Sequence, residues 1–187
     1  YLSSGVIKGI GEATAKKIID AFGDNTLHVL QFEPQRLSEI KGISDDKALK
    51  IGQAFMEREQ IRQTVMFLQG FGISTTYAVK VWKKFGKDSV DEIKRNPYRL
   101  TDEDINIGFK IADRIAITMG TDLYLKFRIQ SGIQYVLSRG IRDGHVFLPV
   151  NVLVPYAAQL LNASVEAVSE ALPSLIFEDS IYIEKAE

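Results

Sequence analysis

Small and apolar residues recur at a fixed phase in four segments of the first 120 residues. With Gly9 as position zero, the segment GIGEATAKKIIDAFG has alanine at +6, isoleucine at +9 and phenylalanine at +13. The segments that begin at Gly42, Gly72 and Asn106 place these residues at the same offsets: Ala48, Ile51, Phe55; Ala78, Val81, Phe85; and Ala112, Ile115, Met119. These offsets lie on one stripe of an α-helix. Each segment therefore predicts a tight turn followed by a helix with one buried face.

A longer repeat groups the four units into two pairs. The segment FGDNTLHVLQFEPQRL from Phe22 matches FGKDSVDEIKRNPYRL from Phe85, 63 residues later. Coincidence at so many positions is improbable, so the pattern predicts one pair of units over residues 1–63 and another over 64–120. The helix of the second unit is expected to be unusually long, because its helical spacing continues to Leu68 with Gly52 as its sole interruption.

The four-fold pattern stops at Thr121, and the last third predicts a different architecture. Residues 123–140 read as a helix, HVFLP as a short strand after the Asp143-Gly144 turn, and two further helices begin near Asn151 and after Ser164. SIYIEK alternates as a terminal strand. The predicted fold is therefore mainly α, with tandem two-helix units followed by a small winged-helix-like α+β domain over residues 121–187.

Composition and charge limit the classes of function. The net charge is −1, but residues 58–86 carry +4 and residues 121–187 carry −3, so a polyanion is expected to prefer the middle of the chain. The absence of cysteine excludes disulfides and thiolate metal sites. The apolar runs are too short to cross a membrane and no leader precedes them, so we expect a cytoplasmic protein without a membrane partner. The first residue, Tyr1, indicates an excised piece of a longer protein.

Catalytic and cofactor motifs are missing from the sequence. Thr14 stands where a dinucleotide fingerprint needs its third glycine, and Gly86-Lys87 lacks the other residues of a P-loop. Two histidines and scattered carboxylates provide neither a relay nor a metal site. We therefore expect no catalytic residue, no metal, no bound cofactor and no enzymatic activity in this chain.

The repeated turns resemble those of the helix-hairpin-helix family. IKGIGEATAKKI has the full pattern of an apolar residue, a Gly-apolar-Gly hairpin and a helix with alanine in its second turn, while IKGISDDKALKI and FGISTTYAVKV have serine for the second glycine. INIGFKIADRI departs further, and its hairpin glycine is displaced to Gly108. The resemblance implies that hairpin amides contact DNA backbone phosphates without reading the bases, assisted by lysines.

The order of the four units and the DGHVFLP segment together resemble the N-terminal region of RecD-like helicases of the RecD/TraA type. This resemblance implies a DNA-binding accessory module with single-stranded or junction DNA and the C-terminal helicase domains of the same chain as partners. It also implies a parent protein of DNA repair or recombination that moves 5′ to 3′ with ATP and magnesium. That chemistry would lie outside this segment.

The expected DNA-binding residues follow from the hairpins and the lysines beside them. The third unit has the strongest case, because an uncharged helix start is followed by three lysines. In the second unit Asp45 and Asp46 would repel phosphate, so a structural role is expected. Trp82 is expected to fill the core rather than stack on a base. The candidate residues are Gly9, Gly11, Lys16, Lys17, Gly70, Gly72, Ser74, Thr75, Lys80, Lys83, Lys84 and Lys110.

Two alternatives remain open at this level. The near-neutral charge is also consistent with an interdomain or protein-docking scaffold that makes no direct contact with DNA. NAD-dependent DNA ligase carries four such units as well, and only the GHVFLP segment argues against it. A free-standing repair enzyme would need catalytic residues that the sequence does not contain.

Overall fold

Helices make up most of the described chain. The computed structural model describes residues 7, 9–120 and 126–184. Its helices in chain order are α1 Glu12–Phe22, α2 Thr26–Phe32, α3 Asp45–Gln69, α4 Thr75–Phe85, α5 Ser89–Arg95, α6 Phe109–Thr118, α7 Lys126–Arg142, α8 Val150–Leu161 and α9 Val165–Phe177. The predicted long helix of the second unit is confirmed, since α3 runs for 25 residues. The predicted cap of α9 is also confirmed, because Ser164 accepts a hydrogen bond from the Ala167 amide.

The predicted winged-helix-like α+β domain is wrong, because residues 126–184 contain three helices and no strand. In HVFLP, the neighbouring Val146 and Phe147 are 94% and 76% exposed, whereas a half-buried strand alternates buried and exposed side chains. Pro149 then forms the N-cap of α8. The other predicted strand, residues 180–185, has no strand structure in its described part, 180–184. Among residues 7, 9–120 and 126–184, no partner strand satisfies the backbone groups of either segment.

The chain folds as two compact units, Tyr1–Ser89 and Val90–Glu187. Helix α3 runs without interruption through residue 63, where the sequence pattern placed its first boundary. The three-part division at residues 63 and 120 stays a prediction.

The core of the first unit forms where α1, α2 and α3 meet. Ile18, Leu30 and Ile51, one from each helix, are fully buried. Helix α3 also packs closely against the 3₁₀ turn Pro34–Glu39, and Gly52 makes this possible. A Cβ atom at Gly52 would lie 2.4 Å from Cβ of Pro34, so no larger residue fits without movement.

The 63-residue repeat is confirmed in the backbone. Gly23 and Gly86 both have positive φ, 49° and 58°, where α1 and α4 end. The Thr26 hydroxyl donates to the Gly23 carbonyl, and the Ser89 hydroxyl donates to the Gly86 carbonyl. A short helix and a 3₁₀ turn that begins with proline follow in each case: α2 with Pro34–Glu39, and α5 with Pro97–Thr101.

The second unit is held together by a buried ion pair between α6 and α7. The Arg128 guanidinium donates to both oxygens of Asp113, at 2.8 and 3.0 Å, and to the Leu161 carbonyl at 2.6 Å. The Tyr98 hydroxyl donates to the same carboxylate at 2.6 Å. Four elements of the unit therefore converge on one polar cluster, defined here as Tyr98, Asp113 and Arg128.

Within the described residues, no single helix has both the length and the apolar character needed to cross a membrane. Helices α8 and α9, which meet at 115°, reach those criteria only when taken together.

Candidate nucleic-acid interface

The same backbone turn precedes helices α1, α3, α4 and α6. Its first residue has a left-handed conformation each time, with φ of 93° at Gly9, 97° at Gly42, 77° at Gly72 and 61° at Asn106. Asn106 therefore takes the place of the first glycine in the fourth hairpin, which is in keeping with the tolerance of asparagine for this conformation. The sequence pattern placed Asn106 at position zero of the fourth repeat but assigned the hairpin glycine to Gly108, so the left-handed conformation of Asn106 was not predicted. The enrichment of asparagine at positive φ was the signal that could have identified it.

The middle residue of each turn anchors the hairpin to the core. It is isoleucine in all four, between 3% and 6% exposed, and its amide donates to a carbonyl of the preceding segment at 3.0 to 3.1 Å. These residues are Ile10, Ile43, Ile73 and Ile107. The middle amide is consequently used inside the fold. The amides that remain for a ligand are those of the first helical turn, which have no intrahelical acceptor.

The four helix starts differ in how these amides are satisfied. At α3, Ser44 accepts from the Lys47 amide at 3.3 Å, and Asp45 and Asp46 add negative charge to the first turn. Among the described residues, no side chain caps α1, α4 or α6. The predicted structural role of the second hairpin is therefore consistent with its geometry, because one of its amides is already capped and the two aspartates would repel an anion.

Among the described helices of the first unit, α4 has the highest net positive charge. It has three lysines and no acidic residue. Lys80 and Lys83 are exposed and Lys84 is half-buried, and the Lys80 ammonium lies over the Tyr77 ring at 5.4 Å from its centroid. Together with the exposed Ser74 and Thr75 at its start, α4 combines available amides with cations. This is the arrangement that attracts a phosphate strand.

The first hairpin has a similar shape but a weaker charge arrangement. Gly9 and Gly11 are exposed, as is Lys16, whereas Glu12 occupies the first turn of α1. Lys17 faces a different hairpin, because its ammonium donates to the Lys41 carbonyl at 3.4 Å, next to Gly42. The tertiary structure thus separates two adjacent lysines that the sequence placed at one site. Lys8 lies outside the described residues.

The fourth hairpin places Lys110 in the first turn of α6, in the second unit. The turn that precedes it is acidic, with exposed Glu103 and Asp104 and with Asp102 paired to Arg99 at 3.1 Å. Lys110 is exposed, so it is available to an anion, although its neighbours oppose one.

Two further predicted positions have other surroundings. Gly70 ends α3 with φ of −58° and precedes the hairpin turn, so the left-handed position belongs to Gly72 alone. Trp82 is half-buried, and its Nε1 is enclosed without a hydrogen-bond partner among the described residues. This position is consistent with the predicted packing role. The candidate DNA-binding residues themselves stay predictions.

Comparison with known proteins agrees with this geometry. Residues 57–147 match the family model described as the ATP-dependent RecD2 DNA helicase HHH domain, and residues 2–55 match the SAM-like helix-hairpin-helix tandem. The ATP-dependent RecD2 DNA helicase of Deinococcus radiodurans is 28% identical over 144 residues, which are 76% of this chain and 20% of that relative. The chain thus spans about a fifth of the relative's length. The resemblance seen in the hairpin motifs is confirmed: the chain has helix-hairpin-helix repeats and is similar to the helix-hairpin-helix region of a RecD-like helicase.

Proposed function

We propose that this chain is a sequence-independent DNA-binding accessory module of a RecD-like helicase that moves 5′ to 3′. The module contacts backbone phosphates through the helix-start amides of its hairpins and through nearby lysines. Hydrolysis of ATP with magnesium takes place in helicase domains of the same parent protein, outside this chain. The sequence similarity to an ATP-dependent RecD2 DNA helicase supports this role as a module of a helicase.

The observation that carries the proposal is the start of α4. Its left-handed Gly72 turns the backbone so that an uncapped, acid-free first turn faces solvent, and Lys80 and Lys83 lie exposed on the same helix. Helix-start amides and ammonium groups recognise phosphate oxygens but carry no information about the base. The contact is therefore expected to be independent of sequence and sensitive to salt.

The test is to remove the charge of two lysines and measure the binding of DNA. Lys80→Gln with Lys83→Gln keeps the length of both side chains and removes two cations. We expect weaker binding of a labelled oligonucleotide, measured by fluorescence anisotropy at several salt concentrations. A plot of log affinity against log salt concentration has a negative slope, and its magnitude should decrease by about 1.4 for single-stranded DNA if both lysines contact phosphates.

The matched control is Lys47→Gln with Lys50→Gln on α3. It removes the same charge from the helix whose start is capped by Ser44 and carries two aspartates. The control should keep the wild-type salt slope. Equal slopes for both pairs would contradict phosphate binding at α4.

That contrary outcome would favour the alternative of a docking scaffold without DNA contact. One feature of the second unit supports this alternative. Its surface carries several large apolar side chains that are mostly exposed, among them Val146 at 94% and Phe177 at 89%. Apolar surface of this kind is typical of contact with another protein segment.

A further inference from the structure

An exposed aromatic ring stands beside the helix start on which the proposed function rests. Tyr77 is in the first turn of α4 and is 37% exposed. Its ring contacts the Lys80 ammonium, which lies 5.4 Å from the ring centroid. The ring is therefore part of the basic face of α4, at its border with the buried stripe, because Val81, one turn further along the same side of the helix, is fully buried.

The ring is peculiar to the third repeat. The position five residues after the left-handed residue is occupied by Thr14, Lys47, Tyr77 and Ile111 in the four repeats. These helix starts have the same backbone turn, so the aromatic side chain is not a requirement of the hairpin fold. It occurs in the repeat whose helix also has three lysines and no acidic residue.

The chemistry of this face suits a nucleic-acid strand whose bases are accessible. Phosphates are attracted by lysines and amides in any strand, but an aromatic ring gains binding energy only by stacking on the face of a base. In a duplex the base faces are covered by their neighbours. In a single strand they are free, and stacking is tolerant of base identity because every base has such a face.

We propose that Tyr77 stacks on an unpaired base while the adjacent amides and lysines of α4 hold the backbone, so that this face prefers single-stranded to duplex DNA. This inference rests on the proposed function and specifies the strand type and the residue that selects it. The contact does not depend on which base is present.

The experiment uses the 187-residue chain and three probes of equal length: oligothymidylate, a strand of abasic sites, and a duplex. Tyr77→Leu removes the ring and keeps an apolar side chain, while Tyr77→Phe keeps the ring and serves as the control. We expect Tyr77→Leu to weaken oligothymidylate binding about tenfold, which is the effect of losing one stacked base. Its affinity for the abasic strand and the duplex should stay at the wild-type value, and Tyr77→Phe should behave as wild type on all three probes.

Two results would overturn the inference. One is an equal loss of affinity of Tyr77→Leu for all three probes, since the ring would then support the helix rather than a base. The other is unchanged affinity for oligothymidylate. The failure of this inference can be distinguished from the failure of the proposed function. If Tyr77→Leu binds oligothymidylate like the wild type but Lys80→Gln with Lys83→Gln weakens binding, only the stacking proposal is wrong. If the wild-type protein binds none of the three probes, both proposals are wrong.

Discussion

The buried polar cluster of the second unit gives the most direct test of how α6 is fixed to α7. Arg128→Met replaces the guanidinium by an apolar side chain of comparable length. The substitution removes two hydrogen bonds to Asp113 and one to the Leu161 carbonyl. It leaves a carboxylate that keeps the Tyr98 hydroxyl as its remaining partner from the cluster.

The magnitude follows from the burial of the two charges. The side chains of Arg128 and Asp113 are 8% and 16% accessible. Removal of one partner of a buried pair costs about 3 to 5 kcal/mol, because the other charge is left without compensation. Since Asp113 keeps some contact with solvent and one hydrogen bond, we expect the lower end, about 3 kcal/mol.

The assay is urea denaturation of the wild type, of both single variants and of the double variant, followed by far-UV circular dichroism. The second single variant is Asp113→Leu, and the double variant combines it with Arg128→Met. Because the two residues are in direct contact, the double variant should lose less stability than the sum of the single losses, by about 2 kcal/mol. Two results would refute the reasoning that the uncompensated charge of Asp113 causes most of the loss in stability. One is additive losses in the free energy of unfolding, and the other is a loss below about 1 kcal/mol for Arg128→Met.

Two further predictions concern the stability of each unit. Burial and the hydrogen bond to Asp113 raise the pKa of Tyr98 above its ordinary value of 10.0. The folded state therefore retains this proton longer than the unfolded state, so the stability that the hydroxyl provides is complete below pH 10.0 and is lost as pH rises above it. The decrease in melting temperature as pH rises above 10.0 should be smaller for Tyr98→Phe than for the wild type. An equal decrease for both proteins would contradict the role of the Tyr98 hydroxyl. In the first unit, Gly52→Ala places a methyl group 2.4 Å from Cβ of Pro34, and we expect a loss of about 1 to 3 kcal/mol in urea denaturation, with the exposed neighbour Gln53→Ala as the control.

Much of the candidate site could be predicted from local pattern. The hairpins at Gly9, Gly42 and Gly72 follow from glycine spacing and from the apolar stripe, because both are requirements of a turn and the helix after it. The weaker case of the second hairpin also follows locally, since Asp45 and Asp46 sit in the first turn of α3. Tyr77 was visible in the sequence as well, but its exposure and its contact with Lys80 were not.

Other features depended on contacts between distant residues. Lys16 and Lys17 are adjacent in sequence, yet only the fold directs Lys17 to the carbonyl of Lys41 in another hairpin. The strands predicted in HVFLP and SIYIEK failed for the same reason. Local alternation cannot show whether a second strand is present to complete the hydrogen bonds, and the described residues supply none.

The sequence by itself determined the hairpins at Gly9, Gly42 and Gly72, the 63-residue repeat and the basic character of α4. These features are written in residue spacing, because a helix repeats every few residues and a left-handed turn selects glycine or asparagine. Only the tertiary structure decided that residues 126–184 contain helices and no strand, that Arg128 is paired with Asp113, and which lysines share a surface with the uncapped helix starts. Those outcomes depend on contacts between residues that are far apart in the sequence, and local residue spacing does not predict such contacts.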